Sequence, residues 1–311
     1  METKNIWIDT DLSVGMKRHI REGYCDVDDG FALLQLFKAD NIDIKGISAV
    51  FGNTQIDDAY RLCQKMSNEF AKKEIPVYRG AGSAINLQKV ESNEAVEAMA
   101  AALKGNHLTI MAIGPATNVG ILLLKYPELK KQIKEVVLVA GRRKPTDYFK
   151  IGNQGNHARD LNFDLDNIAF NLMFEAEVPV TLCPFEISSK VWINANDLKT
   201  LENGETGNQW LAEHSQPWLA QWVNQGADGF NPFDVLASHY IIAPEDIISE
   251  DLKAKLEIHP DDTIKDNDRN VFKNYLLCDK EGSYPVKYCF DVVNNYHEKL
   301  MNTLTKKKLT S

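Results

Sequence analysis

Apolar positions along this chain fall into short continuous runs rather than alternating ones. Asn5–Asp9, Ile44–Phe51, Leu108–Ile113, Val136–Ala140 and Val178–Leu182 are apolar nearly throughout, the pattern of strands covered on both faces. Between them the spacing shifts to the helical period over Val27–Lys38, Ile56–Lys73, Glu94–Leu103, Asn118–Lys125 and Asn167–Glu175. Repeated strand-then-helix order predicts right-handed crossovers and an α/β fold, a mostly parallel, doubly wound (Rossmann-like) sheet flanked by helices. Asn208–Asn224 reads as an amphipathic helix with Trp218 and Trp222 four residues apart, which favours core packing for both. Val271–Leu277 and Val286–Val293 alternate like two strands of a hairpin around Asp279–Tyr284, followed by a helix through His297–Leu304. Without repeats or low-complexity tracts, the chain reads as one domain over 1–311, with 265–311 at its periphery.

Charge narrows the function. There are 35 basic and 44 acidic residues, a net charge of −9, and the one sustained basic run is Lys306-Lys307-Lys308, read as a solvated tail. A phosphate-neutralising surface needs a basic excess or stripe, so a nucleic-acid role is excluded. No stretch approaches the ~18 apolar residues needed to span a bilayer, and the start passes directly from polar residues into Ile6-Trp7-Ile8; a cytoplasmic protein is expected. Five cysteines, Cys25, Cys63, Cys183, Cys278 and Cys289, are scattered without a CxxC pair, as reduced and mostly buried thiols would be.

Parallel sheets bind ligands at the carboxyl ends of their strands, and polar residues gather there. The first strand runs into Asp9-Thr10-Asp11, the second into Gly52-Asn53, the third into Gly114-Pro115-Ala116-Thr117-Asn118 and the fourth into Gly141-Arg142-Arg143. Asp26-Val27-Asp28-Asp29 opens the first helix. Helix capping accounts for one or two of these acids. It does not explain Asp9, Asp11, Asp28 and Asp29 converging on one junction, where they repel unless a cation neutralises them. Ligands that are all oxygen suit Ca²⁺ or Mg²⁺.

Asp9-Thr10-Asp11 followed by Asp28-Asp29 resembles a split form of the DxDxGxDD signature of the inosine-uridine preferring nucleoside hydrolases. Phe51-Gly52-Asn53, Pro76-Val77-Tyr78-Arg79-Gly80-Ala81, Gly114-Pro115-Ala116-Thr117-Asn118, Asp160-Leu161-Asn162 through Asp166, and Asp234-Val235-Leu236-Ala237 are similar to that family in the right order. The resemblance implies Ca²⁺-dependent hydrolysis of the N-glycosidic bond of ribonucleosides to nucleobase and ribose, as in purine or pyrimidine salvage. It implies side-chain metal ligands Asp11, Asp29 and Asp234, the Thr117 carbonyl as a further ligand, and Asp9 in support. Asp28, Asn53, Asp160 and Asn162 would hold the ribose, and Asp11 would be the base for a metal-bound water. The implied partner is a small-molecule nucleoside or related riboside, and the implied assembly is a homodimer or homotetramer.

Three departures from the family pattern stand out. Sixteen residues, 12–27, separate Asp11 from Asp28 where the family usually has three; they read either as a surface loop or as a lid bringing Lys17, Arg18, His19 or Arg21 over the substrate. Phe233 stands where the family often has a proton-donating His; it can stack on a base but cannot donate a proton. His239 reads as a packed or exposed residue, leaving Trp218, Trp222, Tyr240 and His19 as candidate donors or stacking groups. Asp160 replaces the usual Glu, and Arg142, Arg143, Lys144 and Arg159 nearby raise the alternative of a phosphate- or carboxylate-bearing substrate. A metal-dependent hydrolase of another ribosyl compound and a catalytically weak ribosyl-binding protein remain the rival readings.

Overall fold

The computed structural model describes residues 3–19, 22–154, 157–264 and 270–306; Arg21, Lys307 and Lys308 lie outside them. In chain order the first half comprises β1 (Lys4–Thr10), α1 (Asp28–Lys38), β2 (Ile42–Ala49), α2 (Ile56–Phe70), β3 (Val77–Arg79), α3 (Glu94–Gly105), β4 (Leu108–Ala112), α4 (Thr117–Lys125) and β5 (Ile133–Leu138). Then come α5 (Leu161–Leu165), α6 (Asn167–Glu175), β6 (Val180–Leu182), α7 (Phe185–Ser188), β7 (Ile193–Asn194), α8 (Ala195–Glu202) and α9 (Thr206–Asn224). The chain continues through β8 (Gly229–Phe230), α10 (Phe233–Ile242), β9 (Ile247–Pro260), β10 (Phe272–Asp279), β11 (Tyr284–Val292) and α11 (Tyr296–Thr305).

The nine-stranded sheet has the order β10-β9-β11-β6-β5-β4-β1-β2-β3, and its pairs from β6 to β3 are parallel. Apolar side chains alternate between two separate cores. Ile6, Ile8 and Met111 pack on one face with Phe31, Leu62, Leu211 and Val235; Trp7, Ile110 and Ala112 pack on the other with Val96, Val119 and Phe170. Burial on both faces is why these strands read as continuous apolar runs. The chain winds outward from β1 to β3 on one side and from β4 to β6 on the other. The crevice between β1 and β4 is therefore the topological switch point, where such sheets bind ligands.

The C-terminal hairpin expected from sequence is corrected. β10 and β11 do not pair with each other; both pair antiparallel with the 14-residue β9, which lies between them. β9 is long enough to serve β10 along its second half and β11 along its first. Leu252, Ala254, Leu256 and Ile258 alternate with Lys253, Lys255, Glu257 and His259, so the signal of the joining strand stands in the sequence and the hairpin reading passed over it. β11 pairs parallel with β6 and fuses this region to the main sheet. All five cysteines are buried free thiols. Among the described residues no helix is long and apolar enough to cross a membrane.

Candidate active site

β1 delivers Asp9 and Asp11, both fully buried, to the switch point. Asp9 accepts hydrogen bonds from the Ser48 hydroxyl on β2 and from Asn118 Nδ2 at 2.7 Å on α4, which ties three neighbouring elements at the strand ends. Asp11 Oδ2 accepts the Asn53 backbone N–H at 2.6 Å. Gly52 allows that approach, because a Cβ there would lie 2.0 Å from Asp11 Oδ2. Asp29 accepts from the Thr10 hydroxyl, and Asp28 Oδ2 accepts the Asp234 N–H at 3.3 Å, joining the starts of α1 and α10. The cap position of α1 is Val27 and makes no side-chain capping bond, so capping does not explain these acids.

Asp26, Asp28 and Asp29 each offer an oxygen within 4.8 Å of the others'. Asp9 Oδ2, Asp11 Oδ1, Asp28 Oδ1 and Asp29 Oδ2 are buried with no hydrogen-bond partner. Burial, reinforced by neighbouring aspartates, holds the carboxyls of Asp11, Asp28, Asp29 and Asp234 well above the usual range. Burial likewise pushes Asp9 and Asp26 up to about 6. Carboxylates packed in this way repel one another unless a cation lies among them, and Asp26, Asp28 and Asp29 offer all-oxygen donors of the kind a hard divalent ion takes. Asp26, whose charge raises the carboxyls of Asp11, Asp28, Asp29 and Asp234, stands two residues before Asp28; its position beside the signature pair was the available signal.

A cavity of about 1210 Å³ opens over the cluster and is lined by Asp26, Asp28, Asn53, Asp160, Asn162, Phe233 and Asp234. Asp160 accepts the Gly141 N–H at 2.8 Å; desolvation pushes it up to about 6 against the pull of Arg142 and that N–H. Asn162 Nδ2 donates to the carbonyls of Ile113 and Val139 at 3.0 and 3.2 Å, bridging the ends of β4 and β5. Phe233 meets Phe149 edge-on at 5.3 Å and continues toward Trp222 at 6.4 Å. With Phe185 and Trp218 these rings give the cavity an aromatic wall.

Thr117 opens α4 and its hydroxyl donates to Asp166 at 2.6 Å; like Asp11 and Asp29 it lies outside the cavity lining, where Ile113 follows the end of β4. Tyr240 is also elsewhere, with its hydroxyl 3.4 Å from Glu135. His239 is a packed residue, fully buried between Gln35 at 2.9 Å and Asp246 at 3.1 Å. Trp218 and Trp222 are buried, as core packing predicts, yet both also line the cavity. His157, which sequence reasoning missed, lines it too, stacked on Tyr148 at 3.6 Å. The arginines suspected of binding a phosphate are already paired: Arg142 with Asp262 at 2.7 Å, Arg143 with Glu186 and Glu250 at 2.8 Å, and Arg159 with Asp164 at 3.3 Å.

Comparison with known proteins agrees with this architecture. A plant nucleoside hydrolase superposes with a TM-score of 0.74 at 18% identity, over 98% of this chain and 99% of that one. A purine-preferring ribonucleoside hydrolase from Gardnerella vaginalis superposes with a TM-score of 0.73 at 17% identity, over 97% and 98%. In sequence, the pyrimidine-specific ribonucleoside hydrolase RihA of Citrobacter koseri is 26% identical over 206 residues, 58% of this chain and 63% of that protein. RihA of Salmonella schwarzengrund is 26% identical over 197 residues, 55% and 61% respectively. The chain thus spans about three-fifths of the length of the curated relatives it matches. The family model for the inosine-uridine preferring nucleoside hydrolases matches residues 6–290, and the chain belongs to that family.

Proposed function

We propose that this protein hydrolyses the N-glycosidic bond of ribonucleosides with Ca²⁺ at its acidic cluster, releasing nucleobase and ribose. The observation that carries this reading is a set of buried carboxylate oxygens without partners on Asp11, Asp28 and Asp29, beneath a cavity that also holds an aromatic wall. Asp11, Asp29 and Asp234 would hold the ion, with Asp9 fixing the cluster from behind. A bound divalent cation supplies positive charge that makes a water acidic and fixes its place.

The chain's own groups do the rest. Asp11 takes the water's proton as the C1′–N bond breaks, since its Oδ2 is oriented by the Asn53 N–H. Asp28, Asn53, Asp160 and Asn162 orient the ribose hydroxyls and stabilise the oxocarbenium-like sugar by negative charge and hydrogen bonds. Phe233 and the rings beside it pack against the departing base. The paired states of Arg142, Arg143 and Arg159 favour an uncharged nucleoside over a phosphorylated riboside. In keeping with the family resemblance, the working form is a homodimer or homotetramer.

The test is a panel of purine and pyrimidine ribosides offered to metal-stripped protein with Ca²⁺, Mg²⁺ or no ion. Base release restored by Ca²⁺ supports the reading. No release from any riboside under any ion, with riboside binding intact, would make this a ribosyl-binding protein instead.

A further inference from the structure

The described residues of the 12–27 insertion, 12–19 and 22–27, form two paired arms docked on α9. Its arms meet through Cys25 N–H to the Met16 carbonyl at 2.9 Å and Arg18 N–H to the Gly23 carbonyl at 3.0 Å, with an antiparallel bridge between Lys17 and Tyr24. The Gln221 carboxamide on α9 grips both backbone groups of Tyr24: Oε1 accepts its N–H at 2.7 Å and Nε2 donates to its carbonyl at 3.3 Å. One side chain thus replaces a neighbouring strand for that residue. Gly23 permits this contact, with φ +112° and a Cβ that would lie 2.2 Å from Gln221 Oε1. Held this way, the Arg18 guanidinium stands 5.6 Å from the centre of the Trp218 ring. Arg18 and His19 line the cavity together with Trp218, Trp222 and Phe233.

We propose that Gln221 is a positioning residue that fixes the hairpin over the leaving-group end of the cavity, and that Arg18 there selects nucleobases carrying an exocyclic carbonyl oxygen. The inference rests on the ribonucleoside hydrolysis proposed above. Phe233 has no proton to give, so the electron pair of the broken C1′–N bond departs with the base. In hypoxanthine or uracil that charge spreads onto carbonyl oxygen, and the base then takes its proton from solvent water. A guanidinium donates at every working pH and accepts nothing, so it favours such bases over adenine, which presents an amino group and no carbonyl. His19 sits beside it, 3.4 Å from the Thr54 hydroxyl, and narrows the same end of the cavity.

The test compares inosine, adenosine and 4-nitrophenyl β-D-ribofuranoside, whose leaving group is already stable as an anion. Arg18→Met, which keeps an apolar stem against Trp218, lowers kcat/KM for inosine by about tenfold or more, the loss expected for a charged hydrogen bond. Adenosine loses far less, so the inosine-to-adenosine ratio collapses, while the nitrophenyl riboside reports that the ribose and water machinery is intact. Gln221→Ala reproduces the pattern, and an unchanged inosine-to-adenosine ratio in that variant overturns its positioning role; Arg18→Met decides the selectivity independently. An unchanged inosine-to-adenosine ratio, or equal losses on all three substrates, overturns this inference alone. A wild-type protein inactive on all three overturns the hydrolase reading and this inference with it.

Discussion

Asn53 donates its backbone N–H to Asp11 Oδ2 at 2.6 Å, and the other oxygen of the same carboxylate is buried with no partner. The bond fixes the carboxylate plane and leaves Oδ1 directed to whatever occupies the cluster. Asp11→Asn keeps an oxygen to accept from Asn53 but removes the charge and the base. Turnover is expected to fall by about 10²–10⁴-fold, the usual contribution of a positioned general base, while binding of free ribose changes much less. Steady-state kinetics beside calorimetric ribose titration checks the split.

A divalent ion that binds only the folded cluster stabilises the fold by mass action, about 2.7 kcal/mol at a hundredfold excess over its Kd. The melting temperature of metal-stripped protein should therefore rise with added Ca²⁺ and saturate. In Asp29→Asn the rise should shrink or vanish. Differential scanning calorimetry with Ca²⁺ as the sole added ion reads both outcomes.

Asp160 gives a pH dependence whose sign follows from its environment. Desolvation raises its carboxyl from 3.8 to about 6, so the folded state favours the protonated form. That contribution to stability is present below the unfolded value near 4 and is lost as pH rises through about 6. The ribose contact proposed for Asp160 uses the ionised acceptor, so kcat/KM should climb across the same window. In Asp160→Asn that acidic limb should flatten, measured as kcat/KM against pH.

The ribose contacts proposed for Asp28, Asn53, Asp160 and Asn162 predict strong rejection of deoxyribose. Removing one hydroxyl leaves a protein group unpaired at about 1–3 kcal/mol, or roughly 5- to 150-fold in kcat/KM. Parallel rates on inosine and 2′-deoxyinosine measure it.

Because Arg142, Arg143 and Arg159 already face Asp262, Glu186, Glu250 and Asp164, a 5′-phosphate gains little from them and meets an acidic cluster. Inosine should be hydrolysed faster than its 5′-monophosphate. Equal or higher rates on the nucleotide would contradict the pairing argument.

Much of this was legible in the chain. Strands buried on both faces announce themselves as unbroken apolar runs, and Asp9, Asp11, Asp28 and Asp29 fall at strand and helix ends by simple counting. What was hidden depends on partners distant in sequence. β9 alternates over Leu252–His259 and was readable as a strand, but its place between β10 and β11 follows only from pairing. Thr117 opens α4 beside the cluster, while Ile113, which no motif marks, reaches the cavity. The insertion could be read as loop or lid until Gln221, 197 residues from Tyr24, was seen to hold it. Pairing of Arg142 and Arg143 likewise depended on acids far along the chain, whereas Asp164 stands only five residues from Arg159.

The central claim, attack of water on the anomeric carbon, is tested most directly by running the Ca²⁺-loaded protein on inosine in ¹⁸O-labelled water. The account predicts free ribose carrying one ¹⁸O at C1, unlabelled hypoxanthine, and no requirement for phosphate. Unlabelled ribose, a sugar phosphate formed only when phosphate is present, or intact inosine would contradict it.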